Sequence, residues 1–342
     1  MVKASEESGF YFQWHITEAC NLKCRHCYQD EAQSKINPMS NLYQTVDIMS
    51  SALETWKKKG RLSITGGEPF LYPDEVILLL SYIEANKNFA AVSILTNGTL
   101  VSEDLALELS KFNKIREIQV SIDGHNSATH DGIRGNGAFE RSLNGIELLR
   151  KQNVNVAIMF TLNKLNANQV SPILDLANNI GVQYLTIERY TPMGKSDKDA
   201  LTLNPTELEK AYRSAYEKWL QLKQEGSKLK LRTSRPLWHL INDSLGGFCP
   251  VGYSCLTIMP DGTVYPCRRL PIDLGNLYTD GIYKIWYTSP VLWSIRRKNR
   301  MESECGHCDD LSQCGGCRAA AYAINGDYLG KDPLCWKGDV NA

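Results

Sequence analysis

No stretch of the chain approaches the roughly 18 consecutive apolar residues that a membrane helix needs, so nothing in the sequence supports a transmembrane span. Lysine plus arginine equals aspartate plus glutamate at 38 each, giving a formal net charge of zero. That balance gives no indication of a polycationic nucleic-acid binder or a basic membrane-surface protein. The first residues, M-V-K-A-S-E-E-S-G, carry no apolar export segment, which points to a cytoplasmic protein. Fixed-period repeats and low-complexity tracts are lacking too. Finally, no cysteine lies between Cys27 and Cys249, although the chain contains 11. An odd number of thiols cannot be fully paired within one chain, and a reducing compartment disfavours disulfides. Metal or cluster ligation is the better use for them.

What is present is an ordinary globular balance, 43% hydrophobic and 22% charged over 342 residues, long enough for two domains. The cysteine-free stretch alternates β-branched runs with amphipathic segments. Strands are expected at Tyr11–Ile16, Leu62–Thr65, Val92–Thr96, Glu117–Ile122, Val154–Leu162 and Tyr184–Arg189, and helices at Thr45–Lys58, Asp74–Ala85, Ser102–Lys111, Ala138–Lys151 and Val170–Asn179. Such alternation predicts a parallel α/β sheet with right-handed crossovers, curling into a barrel or part of one. Functional groups then belong on loops at the carboxyl ends of the strands. A polar helix, Pro205–Glu225, leads to a boundary expected between about 230 and 246. Beyond it, Pro260-Asp261-Gly262 is placed to turn a hairpin between Thr257–Met259 and Thr263–Tyr265.

Chemistry begins after the first strand. Cys20, Cys24 and Cys27 stand in E-A-C-N-L-K-C-R-H-C-Y, a C-x3-C-x2-C spacing. A cluster that only carries electrons takes four thiolates. Three on one loop leave one iron of a cubane free for a small molecule. A zinc loop or scattered core thiols is the plainer alternative. After the second strand comes Gly66-Gly67-Glu68-Pro69, where the missing Cβ atoms let backbone approach a ligand closely. A Gly-Gly turn with proline at a helix start is also an ordinary structural device.

Together, the cysteine triplet and G-G-E-P in this order resemble the radical S-adenosylmethionine (radical SAM) superfamily. The resemblance implies an α/β core, a partial (β/α)6 TIM-like barrel, at residues 1–230. It also implies that the three cysteines hold a [4Fe–4S] cluster whose unique iron is chelated by SAM. Reductive cleavage then gives methionine and a 5′-deoxyadenosyl radical that abstracts hydrogen from substrate, so the cysteines count as catalytic as well as metal-binding. A low-potential donor such as flavodoxin or ferredoxin is implied as electron source. By position, Gly66, Gly67 and Glu68 cradle the SAM amine. Asn97 belongs to a T-N-G-T turn that either caps a helix or meets SAM. Ser121 and Asp123 share one face of a strand end and suit the ribose hydroxyls. Arg134, in the glycine-rich stretch H-D-G-I-R-G-N-G, resembles the arginine that pairs with the SAM carboxylate. Asn163 and Arg189, ending the fifth and sixth strands, are further SAM contacts, with a substrate carboxylate the alternative for Arg189. Tyr28 is placed near adenine. The six histidines show no catalytic grammar and read as packing or surface residues.

The C-terminal cysteines run Cys249, Cys255, Cys267, Cys305, Cys308, Cys314, Cys317 and Cys335. Taken alone, 305, 308, 314 and 317 read as a zinc ribbon. The whole pattern instead resembles the SPASM extension, a small cysteine-rich α+β domain with two auxiliary [4Fe–4S] clusters, here at residues 231–342. By position, one cluster takes Cys249, Cys255, Cys267 and Cys317, and the other Cys305, Cys308, Cys314 and Cys335, which makes three [4Fe–4S] clusters in all. The spacing from Cys314 to Cys317 is shorter by one than the common form. Arg268-Arg269 follows Cys267 where sulfatase-maturing relatives carry an aspartate base. A guanidinium cannot act as a base at neutral pH, so sulfatase maturation is disfavoured and an anionic substrate, or tuning of a negatively charged cluster, is suggested.

For function, the resemblance implies oxidative modification of a ribosomally synthesised peptide or protein, by thioether or carbon–carbon crosslinking or side-chain oxidation. A separate leader-peptide-binding protein is then expected, since the first strand begins about ten residues in. The alternative is a small-molecule substrate. The ending C-G-G-C-R-A-A-A-Y-A-x4-G-D-Y-x4-D-P-L-C closely resembles enzymes of alternative haem and haem d1 synthesis, which remove or oxidise tetrapyrrole propionates. A zinc-binding or redox-sensing scaffold is the non-enzymatic reading.

Overall fold

The computed structural model describes residues 9–29, 36–194, 198–247, 249–297 and 303–337. A single nine-stranded sheet organises them. Its strands are β1 (Phe10–His15), β2 (Gly60–Thr65), β3 (Phe89–Thr96), β4 (Ile115–Ser121), β5 (Val156–Leu162), β6 (Tyr184–Arg189), β7 (Lys230–Arg232), β8 (Cys255–Ile258) and β9 (Val264–Tyr265). The spatial order is β7-β6-β5-β4-β3-β2-β1-β8-β9. All neighbours run parallel except the β8–β9 hairpin. The order is linear, with β7 at one end and β9 at the other, so the sheet is an incomplete barrel.

Sequential β-α-β units dictate this arrangement, because consecutive parallel strands need crossover helices. The helices α1 (Met39–Thr55), α2 (Pro73–Ala85), α3 (Glu103–Leu109), α5 (Ala138–Lys151) and α6 (Val170–Asn179) supply them. On α1, Leu42, Val46, Met49 and Leu53 recur at helical spacing and are all buried. Strand β1 contributes Phe10, Phe12 and Trp14 to the core, each at most 1% exposed. Burial of each such phenylalanine contributes about 1.5–3 kcal/mol. After β6 come a short α7 (Lys198–Leu201) and the long α8 (Pro205–Gln224). A full capping box between Asn204 and Glu207 and a proline in the first turn start α8.

Two elements differ from the sequence expectation. Residues 127–134 form a helix, α4 (Ser127–Arg134), where a glycine-rich loop was expected; Arg134 is its last residue. Asn126 starts it by accepting from the Thr129 N–H at 3.0 Å. The short β7 was expected only as a connection. It pairs with β6 from Tyr184↔Lys230 to Thr186↔Arg232 at the position proposed for the domain boundary. The hairpin β8–β9 then joins the opposite side of the sheet, with Tyr11 opposite Cys255. The remaining helices, α9 (Ile282–Thr288), α10 (Pro290–Arg296) and α11 (Arg318–Asn325), are short. Among the described residues no helix is long and apolar enough to cross a membrane.

Candidate active site

Each parallel strand delivers one loop to the same end of the sheet. The β1 loop carries Cys20, Cys24 and Cys27, all half-buried. Backbone N–H groups already point at two of the sulfurs: Leu22 at Cys20 Sγ (3.4 Å) and Gln29 at Cys27 Sγ (3.5 Å). Burial pushes the Cys24 thiol up to about 11, with Arg134 opposing it. Cluster irons supply the positive charge that ionises buried thiols.

The β2 loop is stitched to the cysteine loop. Gly67 N–H donates to Thr17 O (2.9 Å) and Glu68 N–H to Ala19 O (2.8 Å). The approach is so close that a Cβ on Gly67 would lie 2.1 Å from the Ala19 carbonyl oxygen. Gly67→Ala is therefore expected to pull the two loops apart. Iron bound at the N-terminal triplet should fall to a small fraction of the wild-type amount, measured in a chain whose C-terminal cysteines remain loaded. Full iron retention in that variant would remove the glycine from the argument.

Glu68 is completely buried. Its Oε1 accepts from Phe70 N–H (3.0 Å) and Thr96 Oγ1 (2.7 Å), and its Oε2 from Asn97 N–H (2.7 Å). Burial lifts the carboxyl to about 7 despite these donors. Asn97, at the end of β3, donates to Asn21 Oδ1 (2.8 Å) beside Cys20. Three strand ends are thereby locked together by polar contacts.

Beyond β4 lies Asp123, also fully buried. Its Oδ2 accepts from Arg134 Nε (2.5 Å), its Oδ1 from Thr161 N–H (2.7 Å), and His26 Nε2 stands 3.6 Å from Oδ2. The Asp123 N–H donates to His130 Nδ1 (3.1 Å). Burial opposes ionisation, but Arg134, then His26 and His130, hold the carboxyl below the usual range. Arg134 in turn reaches Cys24 Sγ with Nη1 at 3.9 Å. The aspartate thus orients an arginine against a cluster cysteine. Ser121 is half-buried and makes no side-chain hydrogen bond among the described residues.

The sequence-predicted residues divide accordingly. Cys20, Cys24, Cys27, Gly66, Gly67, Glu68, Asn97, Asp123 and Arg134 gather around one loop. Asn163 spends its amide on Thr161 O (2.9 Å) and its carbonyl on Leu165 N–H (2.9 Å), closing a turn with Asn166. Arg189 is held bidentately by Asp332, at 3.0 and 2.5 Å, with only 3% exposure. Tyr28 carries the guanidinium of Arg268 over its ring at 4.4 Å. His26 and His130, read from sequence as packing or surface residues, contact Asp123. Only their neighbours in R-H-C and H-D-G-I-R could have signalled it.

The C-terminal thiols form two groups. Cys249, Cys255, Cys267 and Cys317 face one another. Burial first, and then the neighbouring sulfurs, push Cys249 up to about 11 and Cys255 well above its ordinary value. Cys305, Cys308, Cys314 and Cys335 line a single pocket, closed by Gly315, Gly316 and Asp332. There, Gly316 N–H points at Cys314 Sγ (3.2 Å) and Asp332 N–H at Cys305 Sγ (3.4 Å). Among the described residues, no three histidine, cysteine or acidic side chains are placed to hold a single metal ion. Two sets of four thiols, with backbone N–H donors on Cys314 and Cys305, suit polynuclear iron–sulfur clusters.

A family model describing the radical SAM superfamily matches residues 14–177, and one describing an iron–sulfur cluster-binding SPASM domain matches residues 249–309. The AdoMet-dependent heme synthase of Methanosarcina barkeri is 30% identical, covering 94% of this chain and 95% of its own length. The chain belongs to the radical SAM superfamily. Its radical SAM region takes in the cysteine loop and every strand end through β5, and its SPASM region starts at Cys249. The mycofactocin maturase of Mycobacterium ulcerans is 29% identical over 95% of this chain and 87% of its own length. Streptococcus suis SuiB bound to S-adenosylmethionine has the same fold, with a TM-score of 0.77 and 18% identity over 96% of this chain and 77% of SuiB. As a radical SAM enzyme with a SPASM domain, the protein binds iron–sulfur clusters and SAM.

Proposed function

We propose that this radical SAM enzyme carries out an oxidative side-chain change on a carboxylate-bearing tetrapyrrole. Cys20, Cys24 and Cys27 would hold the cluster whose open iron binds SAM, and Cys249/Cys255/Cys267/Cys317 and Cys305/Cys308/Cys314/Cys335 would hold two auxiliary clusters. When bound, these groups supply a 5′-deoxyadenosyl radical and an acceptor for the second electron of a net oxidation, at potentials anywhere from roughly −700 to +450 mV. Gly66, Gly67 and Glu68 would receive the SAM amine with backbone and a carboxyl. Arg134, oriented by Asp123, would receive the SAM carboxylate, and Ser121 would offer its hydroxyl to the ribose.

The observation that carries the reading is the triplet of half-buried thiols on a loop fastened to Gly67 and backed by Arg134. The tetrapyrrole is supported by the arginines in front of the sheet. Arg189 pairs there with Asp332, Arg235 and Arg269 pair with Glu188, and Arg268 stands beside them with no carboxylate partner among the described residues. The similarity to an AdoMet-dependent heme synthase along nearly the whole chain supports it as well. A peptide substrate delivered by a separate leader-binding protein is the second reading, favoured by the similarity to a mycofactocin maturase.

The test is anaerobic turnover of reconstituted holoenzyme, carrying about twelve irons in three cubanes. It is offered a propionate-bearing tetrapyrrole or a panel of precursor peptides. Tetrapyrrole-dependent 5′-deoxyadenosine with a matching mass loss from the tetrapyrrole is expected. Peptide modification with no tetrapyrrole binding would give the answer to the second reading.

A further inference from the structure

The arginines in front of the sheet are not equivalent. Arg189 is consumed by Asp332. Arg235 and Arg269 share Glu188, at 2.9 and 3.0 Å, and both face the thiols of the first auxiliary group. Arg268 has no such partner. It is 7% exposed, its Nε is buried without a hydrogen bond, and among the described residues its guanidinium makes neither a hydrogen bond nor an ion pair. A buried cation with no counter-charge is costly unless something else completes it. Its guanidinium lies over the face of Tyr28 at 4.4 Å, which leaves the planar fork of N–H donors open at its edge.

A second unpartnered group meets the same ring. His15, the last residue of β1, is completely buried and among the described residues has no hydrogen bond on either ring nitrogen. Its ring stands 6.5 Å from that of Tyr28 in an edge-on arrangement. Burial, and then Arg268, keep the imidazole neutral, so it presents one N–H donor and one acceptor. Glu18 is the carboxylate that senses Arg268, but it is half-buried and forms no ion pair with it. The chain places these groups together by pairing β8 with β1, which carries the turn after β9 to the mouth of the cysteine loop.

We propose that Arg268, stacked on Tyr28 and flanked by His15, is the receptor for a carboxylate of the substrate. The fork of Arg268 matches a carboxylate bidentately, and His15 adds a donor or acceptor from the floor of the site. The choice of probe rests on the tetrapyrrole reading above; the carboxylate requirement itself does not. Among the described residues Arg268 makes no hydrogen bond to sulfur of the kind Arg134 makes with Cys24.

The experiment titrates reconstituted holoenzyme, wild type and R268Q, with two matched pairs. One pair is an iron porphyrin bearing propionates and its methyl ester, read by the Soret shift. The other is an acidic precursor-type peptide and its esterified form, read by tryptophan fluorescence. Wild type is expected to bind the acid form of one pair at least about tenfold more tightly than the ester. R268Q should lose that preference, R268K should keep part of it, and H15F should weaken it. Iron content and the midpoint potentials of the auxiliary clusters report that the variants are folded and loaded. A preference for the porphyrin acid that disappears in R268Q supports both proposals. A preference for the acidic peptide alone that disappears in R268Q supports the carboxylate receptor and removes the tetrapyrrole. An acid preference that survives in R268Q and R268K, or a wild-type enzyme that discriminates in neither pair, overturns the assignment. So does a variant whose cluster potential moves while its acid preference stays.

Discussion

Replacing Cys20, Cys24 and Cys27 by alanine is expected to eliminate 5′-deoxyadenosine formation altogether, with loss of about four of the roughly twelve irons a three-cubane chain carries. The thiols are half-exposed and stand on a loop outside the sheet, so their removal takes little from the core. The circular dichroism of the variant should match wild type, and the remaining iron should stay on the C-terminal cysteines. The opposite pattern is expected for Cys308→Ala. One thiol of the C-terminal pocket disappears, the cysteine-rich region loses stability, and some SAM cleavage persists because the N-terminal loop is untouched. Measuring iron, 5′-deoxyadenosine and secondary structure side by side separates the two. If the N-terminal triple variant still cleaved SAM reductively, the proposed position of the SAM-binding iron would be wrong.

The six principal strands were legible because each is a run of β-branched or aromatic residues bounded by turn chemistry. In β3 and β5, for example, F-A-A-V-S-I-L-T and V-A-I-M-F-T-L leave little room for another reading. Three-residue β7 was not legible. K-L-R has no periodicity of its own; it is fixed by pairing with β6 and by Arg232 lying over the Tyr184 ring at 4.2 Å. Helix α4 escaped because S-A-T-H-D-G-I-R contains five weak formers and a glycine. Its cap and the burial of His130, Ile133 and Arg134 outweigh that propensity.

The same division applies to the site. Motif residues that sit on one loop, such as the cysteine triplet or the Gly-Gly pair, can be recognised locally. Contacts that depend on distant partners cannot. Arg134 and Cys24 are 110 positions apart, and Arg189 and Asp332 are 143 apart. Arg189 was accordingly expected to meet SAM or substrate, whereas the structure commits its guanidinium to a carboxylate near the end of the chain. Asp123 was expected to bind ribose, but both its oxygens engage protein donors.

Asp332→Ala should be the most destabilising single change outside the apolar core. Asp332 is fully buried and performs four tasks at once. Its carboxylate holds Arg189 in a bidentate pair, accepts the Cys317 N–H (2.8 Å) and accepts the Leu334 N–H (3.1 Å), while its own N–H points at Cys305 Sγ. It therefore joins β6 to both groups of auxiliary cysteines. Burial opposes its ionisation, yet Arg189 holds the carboxyl below its usual range. Removing the carboxylate leaves an uncompensated guanidinium in the interior, a loss of about 3–5 kcal/mol. Asp332→Asn keeps some of the hydrogen bonding and should fall between Ala and wild type. An Arg189→Met and Asp332→Leu double variant should recover much of the loss, because removing both charges is far less damaging than removing one. Thermal and denaturant unfolding of the holoenzymes, with iron counted before each melt, provides the check. A single Asp332→Ala variant within about 1 kcal/mol of wild type would mean that the pair is screened or hydrated, and that the link between β6 and the auxiliary cysteines lies elsewhere.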